Sequence, residues 1–188
     1  MAATNGKPLE LGAIPHGKLK GALNIFAHEK KVTKDEVKEI FLSWDNENAK
    51  RILELSPEQR NRLYVIFKKF LKWEAKAQKM NVKIEKKISD FKVNRVLFSL
   101  NSTGLMEHEQ RNVSLTALFK SKNKKHYLVI SIPNLTGTYM YGSAVGQSTL
   151  MFDRNSAKIA LKSLNPSTFA SNAYKKLKTK QHIYEQFK

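Results

Sequence analysis

Seven cationic side chains, Arg62, Lys68, Lys69, Lys72, Lys76, Lys79 and Lys83, recur at helical spacing. Wound at about 100° per residue, they share one arc. Ammonium groups repeated about every 5.4 Å along a helix can neutralise successive phosphates of a polyanion. Such contacts release counterions and give affinity with little sequence preference. Two other clusters extend the same chemistry, Lys122, Lys124 and Lys125 in a polar loop, and Lys175, Lys176, Lys178 and Lys180 near the end of the chain. Tyr139 and Tyr141 lie two apart in an expected strand and therefore point to one face. There they either stack on unpaired bases or, as strand tyrosines more often do, pack against the sheet. Lysine heavily outnumbers arginine, which favours point-charge phosphate contacts over bidentate reading of base edges.

Catalytic constellations are scarce by contrast. The run Gly137-Thr138-Tyr139-Met140-Tyr141-Gly142-Ser143 has the glycine spacing of a phosphate loop, but it lacks the lysine and no helical pattern follows. Glu107-His108-Glu109 offers metal-ligand types without metal-ligand spacing, and the five histidines are scattered. The chain has no cysteine, which excludes disulfides, thiolate nucleophiles and Cys-based metal sites. The expectation is a binding protein with no enzymatic activity, no cofactor and no metal.

The formal net charge is +18 on 188 residues. A field of that size attracts polyanions, so nucleic acid (RNA or single-stranded DNA) is the leading partner class and an anionic membrane surface the alternative. The charge is unevenly spread. Residues 1–58 hold nine basic and nine acidic side chains, residues 59–92 eleven and three, and residues 154–188 eight and one. Eight of the sixteen acids lie between Glu29 and Glu58, an asymmetry that allows head-to-tail homo-oligomers. No apolar h-region opens the chain and no apolar run approaches the ~18 residues of a membrane span, so an intracellular location, cytoplasm or nucleus, is expected. In composition the chain resembles small viral nucleic-acid-packaging or matrix proteins as a class. That resemblance carries no residue assignments.

The arc of cations needs a helix to present it. Ser56-Pro57-Glu58-Gln59 forms a capping box with proline at the first helical position. Beyond it Leu63, Ile66, Phe67, Phe70, Leu71 and Ala77 fall opposite the cations. The pattern predicts one long helix from Ser56 to about Lys83, with Trp73 at the edge of the apolar arc and mostly buried. Upstream, residues 1–16 read as a flexible arm. Residues 18–30 read as a short helix on Leu19, Ala22, Leu23 and Phe26. A second capping box, Thr33-Lys34-Asp35-Glu36, precedes Val37, Ile40, Phe41 and Trp44 at helical spacing, and Ala49, Ile52 and Leu53 mark another short helix.

From Val93 the period turns to two, and strands are expected at residues 93–100, 113–119, 126–132, 137–141 and 148–152. Asp153 then caps a helix, and Asn165-Pro166 restarts it as a last one. The reading is a single α+β domain over residues 17–188, helical over 17–92, an antiparallel meander of four to five strands over 93–153, and helical over 154–188. The sequence shows no internal repeat.

Overall fold

The computed structural model describes residues 7–17, 21–46, 49–100, 107–122, 125–133 and 148–186. The described elements run β1 (Pro8–His16), β2 (Gly21–His28), β3 (Ile40–Asn46), β4 (Ala49–Leu55), α1 (Pro57–Met80), β5 (Glu85–Leu100), β6 (Glu107–Lys122), β7 (Lys125–Ile132), β8 (Ser148–Phe152), α2 (Arg154–Ser163) and α3 (Phe169–Gln186). The fold is mixed α+β, with every strand pairing antiparallel to its sequence neighbour. Two four-stranded meanders, β1–β4 and β5–β8, join along β4 and β5, where Leu53 lies opposite Val96. One helix follows the first meander and two follow the second, so the order of elements repeats without a repeat in sequence. Burial asks each strand only for apolar residues at period two, not for particular residues.

The first meander corrects the sequence reading. Pro8–His16 is a strand, not part of a flexible arm, with Leu9 and Ile14 turned into the core. Among the described residues of 17–92, α1 is the one α-helix, with a 3-10 turn at Glu29–Lys31. The other stretches expected to be helical are strands because a second period fits the same residues. Leu23, Ile25 and Ala27 alternate inward on β2, Ile40, Leu42 and Trp44 on β3, and Leu53 and Leu55 on β4. Short windows rich in leucine and phenylalanine satisfy both templates, and pairing with neighbouring strands decides between them.

The Thr33 box also resolves differently. Thr33 Oγ1 accepts from Glu36 N at 3.0 Å, as a helix cap would, but Thr33 N donates to Glu36 O at 2.8 Å. Val32 and Val37 then pair as an antiparallel bridge. The motif closes a tight turn between strands.

Helix α1 forms as its caps dictate. Ser56 Oγ accepts from Gln59 N at 3.2 Å and Gln59 Oε1 accepts from Ser56 N at 2.8 Å. Asn81, in the left-handed region at φ 47°, ends the helix, a conformation asparagine tolerates better than most residues. Its apolar arc is buried between the two meanders. Leu63 and Phe67 line one small apolar void together with Leu23 and Leu42 of the first and Leu115, Ile130 and Phe152 of the second. The Phe67 and Phe152 rings meet edge to face at 5.1 Å.

Asp153 Oδ1 accepts from Ser156 N at 2.8 Å and opens α2 as expected. Arg154 at its start reaches the buried Glu74 carboxylate of α1 at 3.1 Å and Gln78 Oε1 at 2.9 Å, tying the two helices together. The outer strands β1 and β8 approach each other where Gly17 N donates to Met151 O at 2.9 Å. Of the expected strands, residues 137–141 lie outside the described residues; the other four fall within β5–β8.

Candidate nucleic-acid interface

The buried arc of α1 fixes which way its opposite arc faces. Lys68, Lys69, Lys72, Lys76 and Lys79 are exposed on it, and Lys83 is exposed just beyond the helix end. The lysines differ in how far they are already engaged. Arg62 pairs with Glu58 one turn back at 2.8 Å. Lys69 leans toward the sheet, donating to the Ile88 carbonyl at 3.0 Å and lying 5.0 Å over the Trp73 ring. Lys68, Lys72, Lys76, Lys79 and Lys83 have no ion pair with a described carboxylate. Four of these, from Lys68 to Lys79, climb the helix over ~16 Å. They form a row of ammonium groups that no described carboxylate occupies.

A groove of 510 Å³ runs between this helix and β5, lined by Asn61, Arg62, Val65, Lys69, Ser89 and Asp90 among others. Asp90 in it accepts from Lys87 at 2.6 Å and from Thr116 Oγ1 at 3.0 Å. The Lys87 hydrogen bond first, then that of Thr116, hold its carboxyl below the usual aspartate range against a small opposing effect of desolvation. Asp90 stays anionic and occupied by its own neighbours.

The structure brings the polar loop to the same end of α1. Trp73 packs edge-on against Phe119 of β6 at 6.1 Å, and Phe119 stacks on His126 of β7 at 5.3 Å. Lys122 and Lys125, exposed and opposite each other in register, alternate with Phe119 and His126, so the pleat turns them to the sheet face away from α1 and they do not continue its arc. Lys124 lies outside the described residues, as do Tyr139 and Tyr141.

The C-terminal cluster is divided. Lys176 Nζ donates to the Leu11 carbonyl of β1 at 2.9 Å. Lys180 Nζ donates to the Pro8 carbonyl at 2.9 Å and meets the Glu29 carboxylate at 2.7 Å. These two fasten α3 along β1. Lys175 and Lys178 remain exposed, Lys178 lying 5.6 Å over Tyr174. The Lys180–Glu29 contact also joins the basic C-terminal region to the acid-rich one within a single chain. Asp35, Glu36 and Glu39 are interleaved with Lys34 and Lys38, leaving no acidic face in that turn.

Two residues beside the arc were not apparent as site residues in the sequence. Trp73 is partly buried, packed against the core at the edge of the apolar arc as expected, and Lys86 of β5 lies 5.5 Å over its ring. Lys86 belongs to a strand, so no helical periodicity could have placed it beside α1. Elsewhere, Arg60 is buried on α1 with its guanidinium 4.4 Å over the Phe169 ring, and burial lowers its pKa. It packs α3 against α1 and does not face the arc. Glu109 pairs with Arg111. Among the described residues no cluster of His, Asp or Glu is arranged to hold a metal ion, and no helix is long and apolar enough to cross a membrane. Comparison of the chain with protein-family models, curated proteins and solved structures gave no match.

Proposed function

We propose that this protein binds single-stranded nucleic acid, RNA or DNA, through its phosphates, with little sequence preference and without catalysing a reaction on it. One observation carries the reading. Lys68, Lys72, Lys76 and Lys79 form an exposed row without carboxylate partners among the described residues, on a helix locked in place by its buried opposite arc. The helix is preorganised, so a strand meets charges already in line and little backbone freedom is lost on binding. Lys83 lengthens the row, and Lys122, Lys125, Lys175 and Lys178 are further exposed cations.

The same lysines would attract anionic headgroups. A membrane reading, however, cannot draw on the apolar arc of α1, which is spent on the core. Packaging of a strand by many copies fits the +18 charge, since copies repel one another until bound phosphates neutralise them.

The test is a titration of labelled single-stranded RNA at several salt concentrations, with anionic liposomes in parallel. For four to six phosphate contacts, log K falls against log salt with a slope of about −3 to −4. Capture by liposomes with negligible RNA affinity would replace this reading with a membrane-surface one.

A further inference from the structure

Phosphate contacts alone do not distinguish a single strand from a duplex, and the neighbourhood of Trp73 supplies what could. Its indole borders the basic arc, one turn from Lys69, and is only partly buried. One edge is braced by Phe119, itself fully buried and stacked on His126, so the ring is held in place from beneath. Over the ring lie two ammonium groups, Lys69 at 5.0 Å and Lys86 at 5.5 Å. Both lysines are exposed, and neither has a carboxylate partner among the described residues. A cation over a ring at the surface is held weakly; Lys69 also donates to the Ile88 carbonyl at 3.0 Å, and for both lysines a phosphate is the stronger partner. A braced aromatic ring at the edge of the core, overlain by two ammonium groups and beside a row of lysines without described carboxylate partners, matches the chemistry of an unpaired base and its flanking phosphates.

We propose that Trp73 stacks on one unpaired nucleobase of a bound strand while Lys69 and Lys86 swing from the ring to the phosphates on either side of it. This assignment rests on the single-strand-binding reading above and gives it a base-contacting site. Because every base presents a π-face, the site selects single strands without selecting a sequence.

The test uses the full chain and two end-labelled strands of equal length, oligo(U) and an abasic sugar-phosphate strand. Anisotropy of the label reports binding, and tryptophan emission reports stacking. The chain has two tryptophans, and the other, Trp44, is 2% exposed, so a quenchable signal belongs to Trp73. Oligo(U) should quench wild-type emission in step with the anisotropy curve, and the abasic strand should bind without quenching. Trp73→Leu should bind oligo(U) about 5- to 150-fold more weakly and the abasic strand as wild type does.

Equal weakening on both strands would reduce Trp73 to a support for its lysines and overturn the stacking site. So would oligo(U) binding with unchanged emission. In either case the strand is still bound and the broader reading survives. Binding of neither strand by wild type would remove both. If Trp73→Leu does not fold, the wild-type contrast in quenching between the two strands decides the matter alone.

Discussion

Helices α1 and α3 are both lysine-rich, and both bury one face, yet their cations have different surroundings. On α1 the core lies on one side and solvent on the other, so Lys68, Lys72, Lys76 and Lys79 have no carboxylate partner among the described residues. On α3 the helix runs along an outer strand whose carbonyls need donors, and Lys176 and Lys180 supply them. The same residue type is thus the proposed recognition surface in one place and structural fastening in the other. What separates the two roles is the presence of an unpaired acceptor within reach of the lysine stem.

The largest effect that would sharpen the contrast concerns stability. Phe67→Ala should cost about 3–5 kcal/mol in urea unfolding, because its ring sits between both meanders. Leu177→Ala on α3 should cost less, as that helix lies along the outer strand β1 and touches α1 through Phe169 at its start; equal costs would contradict the central role given to α1. Next comes binding. The triple variant Lys68→Glu, Lys72→Glu, Lys76→Glu should keep its melting temperature within a few degrees while the salt slope for single-stranded RNA shrinks by about 2. Lys69 is left out of that set because its ammonium group is bonded to Ile88 O. Unfolding of the triple variant by circular dichroism would break the comparison at its root.

Lys180→Met should behave in the opposite way. Loss of the donor to Glu29 and Pro8 O should cost about 1–2 kcal/mol in thermal unfolding, with RNA affinity falling less than for the α1 variant. A change confined to RNA affinity would return Lys180 to the recognition surface. The smallest effect is a pH dependence. The Asp90 carboxyl is depressed in the folded chain, so its contribution to stability is present above the unfolded value and is lost as pH falls through the folded one. The melting-temperature gap between wild type and Asp90→Asn should therefore close on acidification below about pH 4. A gap that persists in acid would assign the difference to hydrogen bonding in the neutral side chain.

Two capping boxes show how far local sequence carried the fold. Ser56-Pro57-Glu58-Gln59 and Thr33-Lys34-Asp35-Glu36 make the same hydrogen bond from the fourth residue's N–H to the first side chain. After the first, apolar residues continue at helical spacing for about four turns, from Leu63 to Ala77, and no alternating pattern competes. After the second, Val37, Ile40, Phe41 and Trp44 suit a helix, while Ile40, Leu42 and Trp44 equally suit a strand, and pairing with β2 and β4 settles it. From Val93 onward, β-branched and aromatic residues at period two mark four strands that fall within β5 to β8, but β5 begins at Glu85, inside the stretch expected to be helical, and β6 at Glu107; the Asp153 cap stands where expected.

The candidate site was legible to the same degree. The basic arc of α1 could be read because both its faces lie within one stretch of helix. Lys86 beside Trp73, and the engagement of Lys176 and Lys180 with a strand more than 150 residues earlier, could not. Each depends on a neighbour far off in sequence. Composition determined the polyanion chemistry, and one capped, amphipathic stretch determined the central helix and the direction its lysines face. Only the tertiary structure decided that the N-terminal quarter is sheet, because strand pairing is a non-local energy. It also decided which lysines are free, because a cation's availability depends on the acceptors that folding brings within about 3 Å of it.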